Sequence, residues 1–294
     1  MALLQANGLD IEYEVHGDPT NPALLLIMGL GVQLIHWDDG FVDELVRRGF
    51  YVIRFDNRDV GLSTKMESAG MADIAGVLAG ETKPAYSLDD MADDAVGVLD
   101  ALHIKAAHIV GASMGGFIAQ LVAINHPEHT LSLTSIMSGP GGHDAVPPTP
   151  EALEALVRMP AATREEIVAN SIDARRIFAG EGNPFNVEEQ RKLVERAYER
   201  SYYPVGFGRQ YAAILASKTR IPGLRQLRVP TLVVHGADDP LVPPENGKRV
   251  AAAVPGARYL EFKGAGHNLP PSTWPAVADA IAETARQASA VSRS

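Results

Sequence analysis

Short apolar runs recur along the chain and predict the strands of a β-sheet. Each run is rich in aliphatic or aromatic side chains, and Gly or Asp follows it within two residues. The runs span residues 11–15, 23–28, 51–55, 107–110, 131–137, 231–235 and 258–262. From 51–55 onward they are almost continuously hydrophobic, as expected of parallel strands that helices cover on both faces. The first run instead alternates apolar and polar residues, which predicts a strand at the edge of the sheet.

Helical segments lie between these runs. Residues 38–48, 87–102 and 114–125 carry helical periodicity, and Asp89 and Asp90 fall in a first turn, where the helix dipole favours acidic side chains. Strands and helices therefore alternate along the chain. This order predicts an α/β fold with a doubly wound, mostly parallel sheet and helices on both faces.

The alternation is interrupted once, after residue 137. A stretch rich in Gly and Pro at 139–150 leads into a polar block in which apolar residues recur at helical spacing. These residues are Leu153, Leu156, Val157, Leu193, Val194, Ala197, Tyr198, Tyr211, Ile214 and Leu215. We therefore predict a helical cap at 140–228, inserted into a core formed by 1–139 and 229–294, with a frayed end from residue 288.

Composition and net charge limit the kinds of molecule that the protein is expected to bind. Hydrophobic residues make up 46% of the chain and charged residues 21%, which is typical of a globular protein with a sizeable core. The formal net charge is −10, and no run of Lys or Arg could neutralise a phosphate backbone, so we expect no nucleic-acid partner. The longest strongly apolar stretch, 23–30, is too short to span a bilayer, and residues 1–7 do not resemble a secretory signal. We expect a cytoplasmic protein with no membrane span; its oligomeric state stays open.

Residue types also limit the chemistry. The chain has no cysteine, which leaves oxygen or nitrogen as the nucleophile and rules out cysteine-ligated zinc. No His-Glu-x-x-His sequence or carboxylate cluster has the spacing of metal ligands. We therefore expect neither a metal nor a cofactor.

The segment Gly111-Ala112-Ser113-Met114-Gly115-Gly116 follows an apolar run and precedes a helix. This arrangement fits a nucleophile elbow, a strained strand-to-helix turn that needs small residues two positions before and after the nucleophile. A helix cap or a phosphate cradle would also use Gly and Ser here. However, the glycines lack the G-x-G-x-x-G spacing of a dinucleotide site, and no P-loop lysine follows. Ser113 is therefore the candidate nucleophile.

A serine hydroxyl needs a base, and that base needs a carboxylate to orient it. His267 lies in a Gly-rich loop just after the run at 258–262, where parallel sheets present their functional edge, and it is the candidate base. The loop after the run at 231–235 offers Asp238 and Asp239. We favour Asp239, which lies next to Pro240, and keep Asp238 and the more distant Asp100 as alternatives.

Ester cleavage through a serine also needs two N–H groups that bind the negatively charged oxygen of the intermediate. The residue after the nucleophile, Met114, is predicted to supply one. The second is predicted at Leu30, because Gly29 and Gly31 allow the backbone after the run at 23–28 to turn an N–H group inward.

At this point the chain resembles the α/β-hydrolase superfamily over nearly its whole length. Residues 25–31 resemble its oxyanion strand, 55–63 the loop after the next strand, 111–115 its elbow, and 235–243 and 264–267 its acid and base loops. Within the superfamily the chain is most similar to the group of aclacinomycin methylesterase and, more loosely, to cofactor-free haloperoxidases. The resemblance implies an eight-stranded, mostly parallel sheet.

Two positions are informative within that resemblance. Met28 stands where many relatives have histidine, although the methylesterase group also has Met-Gly there, and the donor is a backbone group. Serine at position 113 argues against epoxide hydrolases and haloalkane dehalogenases, which use a carboxylate nucleophile.

These observations predict hydrolysis of a small carboxylic ester. The cap aromatics favour an apolar or aromatic substrate, although they could equally pack the cap onto the core; they are Phe178, Phe185, Tyr202, Tyr203, Phe207 and Tyr211. The same site could instead serve perhydrolysis, lactone opening or C–C bond hydrolysis. A second class of hypothesis is a ligand-binding receptor or scaffold that retains the three site residues.

Overall fold

Eight strands form one sheet in the computed structural model, which describes residues 2–182 and 184–291. The strands are β1 (Ala2–Ala6), β2 (Leu9–His16), β3 (Ala23–Ile27), β4 (Tyr51–Phe55), β5 (Ala107–Ala112), β6 (Thr130–Ile136), β7 (Thr231–Gly236) and β8 (Arg258–Phe262). Their order is β1-β2-β4-β3-β5-β6-β7-β8. β2 pairs antiparallel with β1 and β4, and the other five pairs are parallel. The predicted eight-stranded, mostly parallel sheet is confirmed.

Helices cover both faces of this sheet. They are α1 (Asp39–Arg47), α2 (Ile74–Ala79), α3 (Leu88–Ala101), α4 (Met114–Asn125), α5 (Pro150–Leu156), α6 (Arg164–Phe178), α7 (Val187–Arg200), α8 (Pro204–Ala216), α9 (Ile221–Leu224), α10 (Pro244–Ala253) and α11 (Trp274–Val291). Because side chains alternate along a strand, Leu24 and Leu26 of β3 pack with α1 and α11. Leu25 and Ile27 pack with α3, α4 and α10 on the opposite face. The continuous apolar runs thus supply two cores.

The first predicted strand does not lie at the edge of the sheet. β1 pairs with β2 on its outer side, so the expectation of an edge strand at 11–15 is wrong. Asn7 and Gly8 join the two strands with φ angles of 48° and 77°. This geometry is typical of the tight Asn-Gly hairpin turn, a signal present in the sequence that went unused.

The expectation of a frayed end from residue 288 is also wrong for 288–291. α11 continues to Val291, and the rest of that segment lies outside the described residues. No helix in the described part of the chain has both the length and the apolar character to cross a membrane.

Five helices, α5 to α9, lie between β6 and β7. Val168 and Ile172 of α6 and Val194 of α7 form a small core of their own. α8 is joined to the sheet side of the molecule by Arg209, whose guanidinium donates to both carboxylate oxygens of Asp59 at 2.7 and 2.8 Å. Both side chains are almost fully buried. This buried ion pair ties the inserted helices to the loop that follows β4.

Candidate active site

The carboxyl ends of β3, β5, β7 and β8 carry the residues that the sequence singled out. These strands lie in the order β3-β5-β6-β7-β8, so the loops that follow them share one edge of the sheet. Ser113 follows β5, Asp239 follows β7, and His267 follows β8. Leu30 lies in the loop after β3, directly beside the β5 loop.

Ser113 occupies the strained turn between β5 and α4. Its φ and ψ angles are 57° and −123°, a region that side-chain-bearing residues rarely adopt. The side chain makes no capping hydrogen bond to α4, so a simple helix cap does not account for it. A Cβ at Gly111 would lie 2.0 Å from the carbonyl oxygen of Gly115, and one at Gly115 would lie 2.0 Å from that of Ile27. The turn therefore requires glycine two positions before and after Ser113.

Asp239 and His267 meet directly. His267 Nδ1 lies 2.7 Å from Asp239 Oδ2, and the carboxylate is fully buried while 9% of the imidazole is exposed. The other carboxylate oxygen accepts hydrogen bonds from the N–H groups of Leu241 and Val242 at 2.9 and 2.8 Å. The loop therefore holds the carboxylate in a single orientation.

The electrostatics of this pair keep the carboxylate charged. Burial alone would raise the pKa of Asp239, because it penalises a charged group. The charge of His267, the hydrogen bonds from two histidines and a loop amide outweigh that penalty and lower the pKa to about 2. Asp239 is thus an anion at any pH near neutrality.

The two alternative aspartates lie elsewhere. Asp238 is exposed, and its N–H group donates to the carbonyl oxygen of Ala265. Asp100 lies exposed near the end of α3, where its nearest basic partner is His129 at 3.9 Å. The structure brings neither side chain to His267.

A second histidine, His235, stands beside the carboxylate. It is buried at the end of β7, its Nε2 lies 2.7 Å from the carbonyl oxygen of Val242, and the same nitrogen lies 3.5 Å from Asp239 Oδ2. The sequence analysis did not identify this histidine as a site residue. Its place four residues before Asp239, at the end of a strand, is the signal that would have singled it out.

The loop after β3 lies against Ser113. A Cβ at Gly29 would be 3.1 Å from the Cβ and 3.5 Å from the Oγ of Ser113. Asn57 donates a hydrogen bond to the carbonyl oxygen of Met28 at 2.9 Å and so fixes the start of the loop. Within the described residues, the N–H groups of Leu30 and Met114 donate to no other group of the protein. Both predicted donors are therefore free to bind an external acceptor.

The loop that carries His267 is bound to the inserted helices through backbone atoms. The N–H of His267 donates to the carbonyl oxygen of Phe178 at 2.7 Å, and the N–H of Gly182 donates to that of Gly264 at 3.0 Å. A Cβ at Gly266 would lie 2.1 Å from the Phe178 oxygen. The end of α6 thus supports the loop of the candidate base.

The six cap aromatics divide into two groups. Phe178 packs edge-on to the His267 ring, with 6.5 Å between ring centroids, and Phe207 lies against Gly31. The other four contact residues of the inserted segment: Tyr202 lies beside Tyr198, Phe185 joins the core of α6 and α7, Tyr203 binds Arg209, and Tyr211 stacks on Phe207. Among the six, in the part of the chain that the structure describes, Phe178 and Phe207 are the ones that contact the loops after β8 and β3.

In the ranges 2–182 and 184–291, no group of three His, Cys, Asp or Glu side chains has an arrangement that could hold a metal ion.

Comparison with known proteins identifies the family to which this chain belongs. The alpha/beta hydrolase fold family matches residues 22–271. Rhodomycin D methylesterase from Streptomyces peucetius is 31% identical over 92% of this chain and 93% of that protein. A Mycobacterium tuberculosis protein that carries the name of a non-heme bromoperoxidase is 26% identical over 88% and 91%. The structure of a meta-cleavage product hydrolase from Pseudomonas fluorescens IP01 superimposes with a TM-score of 0.78 at 23% identity, covering 98% of both chains.

Proposed function

This chain is an esterase of the α/β-hydrolase family, and we propose that it cleaves carboxylic esters through an acyl-enzyme intermediate on Ser113. In this proposal His267 is the general base and Asp239 orients it. The N–H groups of Leu30 and Met114 form the oxyanion hole.

The observation that carries the proposal is the hydrogen bond between His267 Nδ1 and the buried, ionised Asp239. A carboxylate at Nδ1 holds the imidazole as the tautomer with the proton on that nitrogen. Nε2 is then the atom that can accept a proton. The free hydroxyl of Ser113, held in a strained turn, supplies that proton.

The reaction proceeds in two halves. Ser113 Oγ attacks the ester carbonyl as its proton passes to His267, and the negative carbonyl oxygen binds the two N–H groups. His267 then protonates the leaving alcohol, and the acyl group remains on Ser113. A water molecule, deprotonated by His267, attacks the acyl-enzyme, releases the carboxylic acid and restores the serine hydroxyl. Asp239 stays ionised throughout and stabilises the imidazolium.

We assign the predicted insertion at 140–228 the role of a cap, built mainly from α5 to α8. Its support is that Phe178 binds the His267 loop and Phe207 packs on the loop after β3. The rings of both residues also lie against loops to which this proposal assigns the site, since Phe178 packs on the His267 ring and Phe207 on Gly31. The substrate in this proposal is a small ester with an apolar or aromatic group.

A serine-directed probe tests the nucleophile. A fluorophosphonate should attach once per chain, at Ser113, because the proposal assigns the base and the oxyanion hole to that hydroxyl. Peptide mass mapping identifies the modified residue. Ser113→Ala should lower kcat for a short-chain p-nitrophenyl ester by about 10³-fold or more, with circular dichroism unchanged.

Two results would contradict this assignment. One is modification at another residue, and the other is ester hydrolysis that survives in Ser113→Ala. Labelling at Ser113 without hydrolysis of any activated ester would instead favour a ligand-binding protein that keeps the same site.

The likeness to the bromoperoxidase favours one second candidate, perhydrolysis at the same site. Hydrogen peroxide would replace water as the attacking group on the acyl-enzyme, so that a peracid and the free serine are formed. Measuring peracid and carboxylic acid from one ester, with and without peroxide, separates the two activities.

A further inference from the structure

We propose that Gln210, on helix α8 of the inserted segment, is a positioning residue for the oxyanion hole. The inference rests on the proposed function and extends it. It makes the inserted segment part of the catalytic scaffold as well as a cover over the substrate.

Gln210 joins α8 to two loops of the core. Its Oε1 accepts the N–H of Gly31 at 2.8 Å, and its Nε2 donates to the carbonyl oxygen of Arg58 at 2.7 Å. An N–H can only donate and a carbonyl can only accept, so the orientation of the amide is unambiguous. The side chain is fully buried. Both polar ends of the buried amide are therefore hydrogen-bonded, and the preceding residue of the helix, Arg209, forms an ion pair with Asp59.

The contact with Gly31 controls the donor because of the way the loop is built. Asn57 holds the carbonyl of Met28, which fixes the peptide plane between Met28 and Gly29. Gln210 holds the N–H of Gly31, which fixes the plane between Leu30 and Gly31. The N–H of Leu30 belongs to the single peptide plane between these two. With both neighbouring planes held, little freedom remains to turn the donor away from Ser113.

Packing restricts the same loop. Gly31 has a φ angle of 67°, and a Cβ there would lie 2.6 Å from the ring of Phe207. Phe207 stands three residues before Gln210, on the same face of α8. One face of α8 thus carries both the Phe207 ring, which packs against the loop after β3, and the Gln210 amide, which fixes the orientation of that loop.

This arrangement predicts an effect on kcat rather than on substrate binding. The oxyanion exists only in the tetrahedral intermediate and the transition states that flank it, so a misplaced donor leaves ground-state binding unchanged. Removal of an oxyanion donor costs about 10² to 10³-fold in kcat. A donor that stays in place but loses its support should cost less, about 10 to 100-fold.

The test compares Gln210→Met with Gln120→Met. Methionine matches the shape of glutamine and removes both hydrogen bonds. Gln120 is an equally buried glutamine that binds Ser135 at 3.0 Å and accepts from Arg220 of the inserted segment at 2.9 Å, but it lies away from the loop after β3. The two variants lose the same number of buried hydrogen bonds. A purely structural effect should therefore appear in both.

Three readouts separate positioning from stability. Gln210→Met should lower kcat for the p-nitrophenyl ester about 10 to 100-fold while KM changes less than about threefold. The serine oxygen adds to the carbonyl of an aryl trifluoromethyl ketone, and the adduct mimics the tetrahedral intermediate. The Ki of this inhibitor should therefore rise in parallel with the fall in kcat/KM. Amide hydrogen exchange should quicken at residues 29–33. In Gln120→Met, kcat and Ki should stay within about threefold of wild type.

The outcomes are distinguishable from those that test the proposed function. Suppose that the wild-type protein is active and is labelled at Ser113. If Gln210→Met then keeps its kcat, or if Gln120→Met loses kcat to the same extent, only this inference is overturned. A rise in KM with kcat unchanged also overturns it. If the wild-type protein hydrolyses no ester, the proposed function and the catalytic part of this inference are both overturned. If amide exchange at residues 29–33 is unchanged in Gln210→Met, the positioning contact itself is refuted.

Discussion

Two adjacent aspartates, Asp238 and Asp239, show how one position decides the environment of a carboxylate. Asp239 is buried and binds the imidazole of His267 at 2.7 Å, while Asp238 is exposed one residue earlier. The turn at residues 237–238 leaves Asp238 exposed and places Asp239 in the interior. A buried anion with a histidine partner interacts strongly, whereas an exposed carboxylate is screened by water and salt.

Substituting each aspartate by asparagine tests this difference. Asp239→Asn should lower kcat about 10³ to 10⁴-fold, because an amide neither fixes the imidazole tautomer nor stabilises the imidazolium. Asp238→Asn should change kcat less than about tenfold. Saturation kinetics on both variants, with circular dichroism to confirm folding, make the comparison. A severe loss in Asp238→Asn would instead assign the orienting role to that residue.

At the scale of elements, the site depends on how closely α4 approaches the sheet. Gly115 in its first turn lies so near β3 that a Cβ would stand 2.0 Å from the carbonyl oxygen of Ile27. Backbone atoms of a central strand cannot move aside as a flexible side chain can. The strained turn at Ser113 therefore persists only because strand and helix are held together around it.

Gly115→Ala should accordingly force β3 and α4 apart. We expect the free energy of unfolding to fall by more than about 2 kcal/mol, with loss of ester hydrolysis in whatever protein folds. Gly208→Ala on α8 is the matched control, since its Cβ would find only the Cβ of Ala72, at 4.0 Å. That substitution should raise stability by up to about 1 kcal/mol, because alanine favours a helix more than glycine does. Urea unfolding of both variants decides; equal effects would contradict the packing argument.

At the scale of the whole molecule, buried histidine links stability to pH. His108 lies in the central strand β5, is 3% exposed, and holds its Nδ1 2.8 Å from the hydroxyl of Ser132. Burial penalises the imidazolium and lowers the pKa of His108 to about 4. The unfolded chain takes up that proton at the ordinary histidine pKa of about 6.5. The stabilising contribution is therefore complete above about pH 6.5 and is lost as the pH falls toward 4.

We therefore expect the free energy of unfolding to decrease between pH 6.5 and 4.5. His108 alone should contribute about 1.4 kcal/mol per pH unit in the middle of that range. His108→Gln should reduce the slope by that amount without abolishing it, because burial also lowers the pKa of His36, to about 3, and His36 therefore contributes in the same range. His143→Gln, at an exposed side chain, should leave the slope as in wild type. Asp239 does not mask the effect, because its stabilising contribution is complete above the ordinary aspartate pKa of about 3.9 and is lost only as the pH falls from there toward 2. Urea titrations at several pH values measure the slopes; an unchanged slope in His108→Gln would refute the assignment.

The sequence by itself determined the features that depend on local requirements, namely the burial of a strand and the space available in a turn. Strands buried on both faces must be apolar at nearly every position, so the run at 51–55 matches β4 to the residue. The run at 258–262 also matches β8, although that strand lies at the edge of the sheet and is only partly buried. The turn at Ser113 tolerates only small neighbours, so the Gly111-to-Gly115 spacing marked it without reference to the rest of the fold. The hairpin of β1 and β2 also depends on a local signal, the Asn7-Gly8 turn. β1 was not predicted because that signal was not used.

The tertiary structure alone decided which distant groups support the site. Gln210 lies 179 residues from Gly31, and the oxygen of Phe178 reaches His267 across 89 positions. Gln210 does not stand out in the sequence, and Phe178 was predicted only as one of six cap aromatics, because a glutamine or a phenylalanine in a polar helical block fits many environments. Periodicity records which face of a helix is apolar, but it does not record which loop that face meets after the chain folds back. Those partners depend on how the inserted helices pack onto the sheet, and that packing is a property of the whole chain.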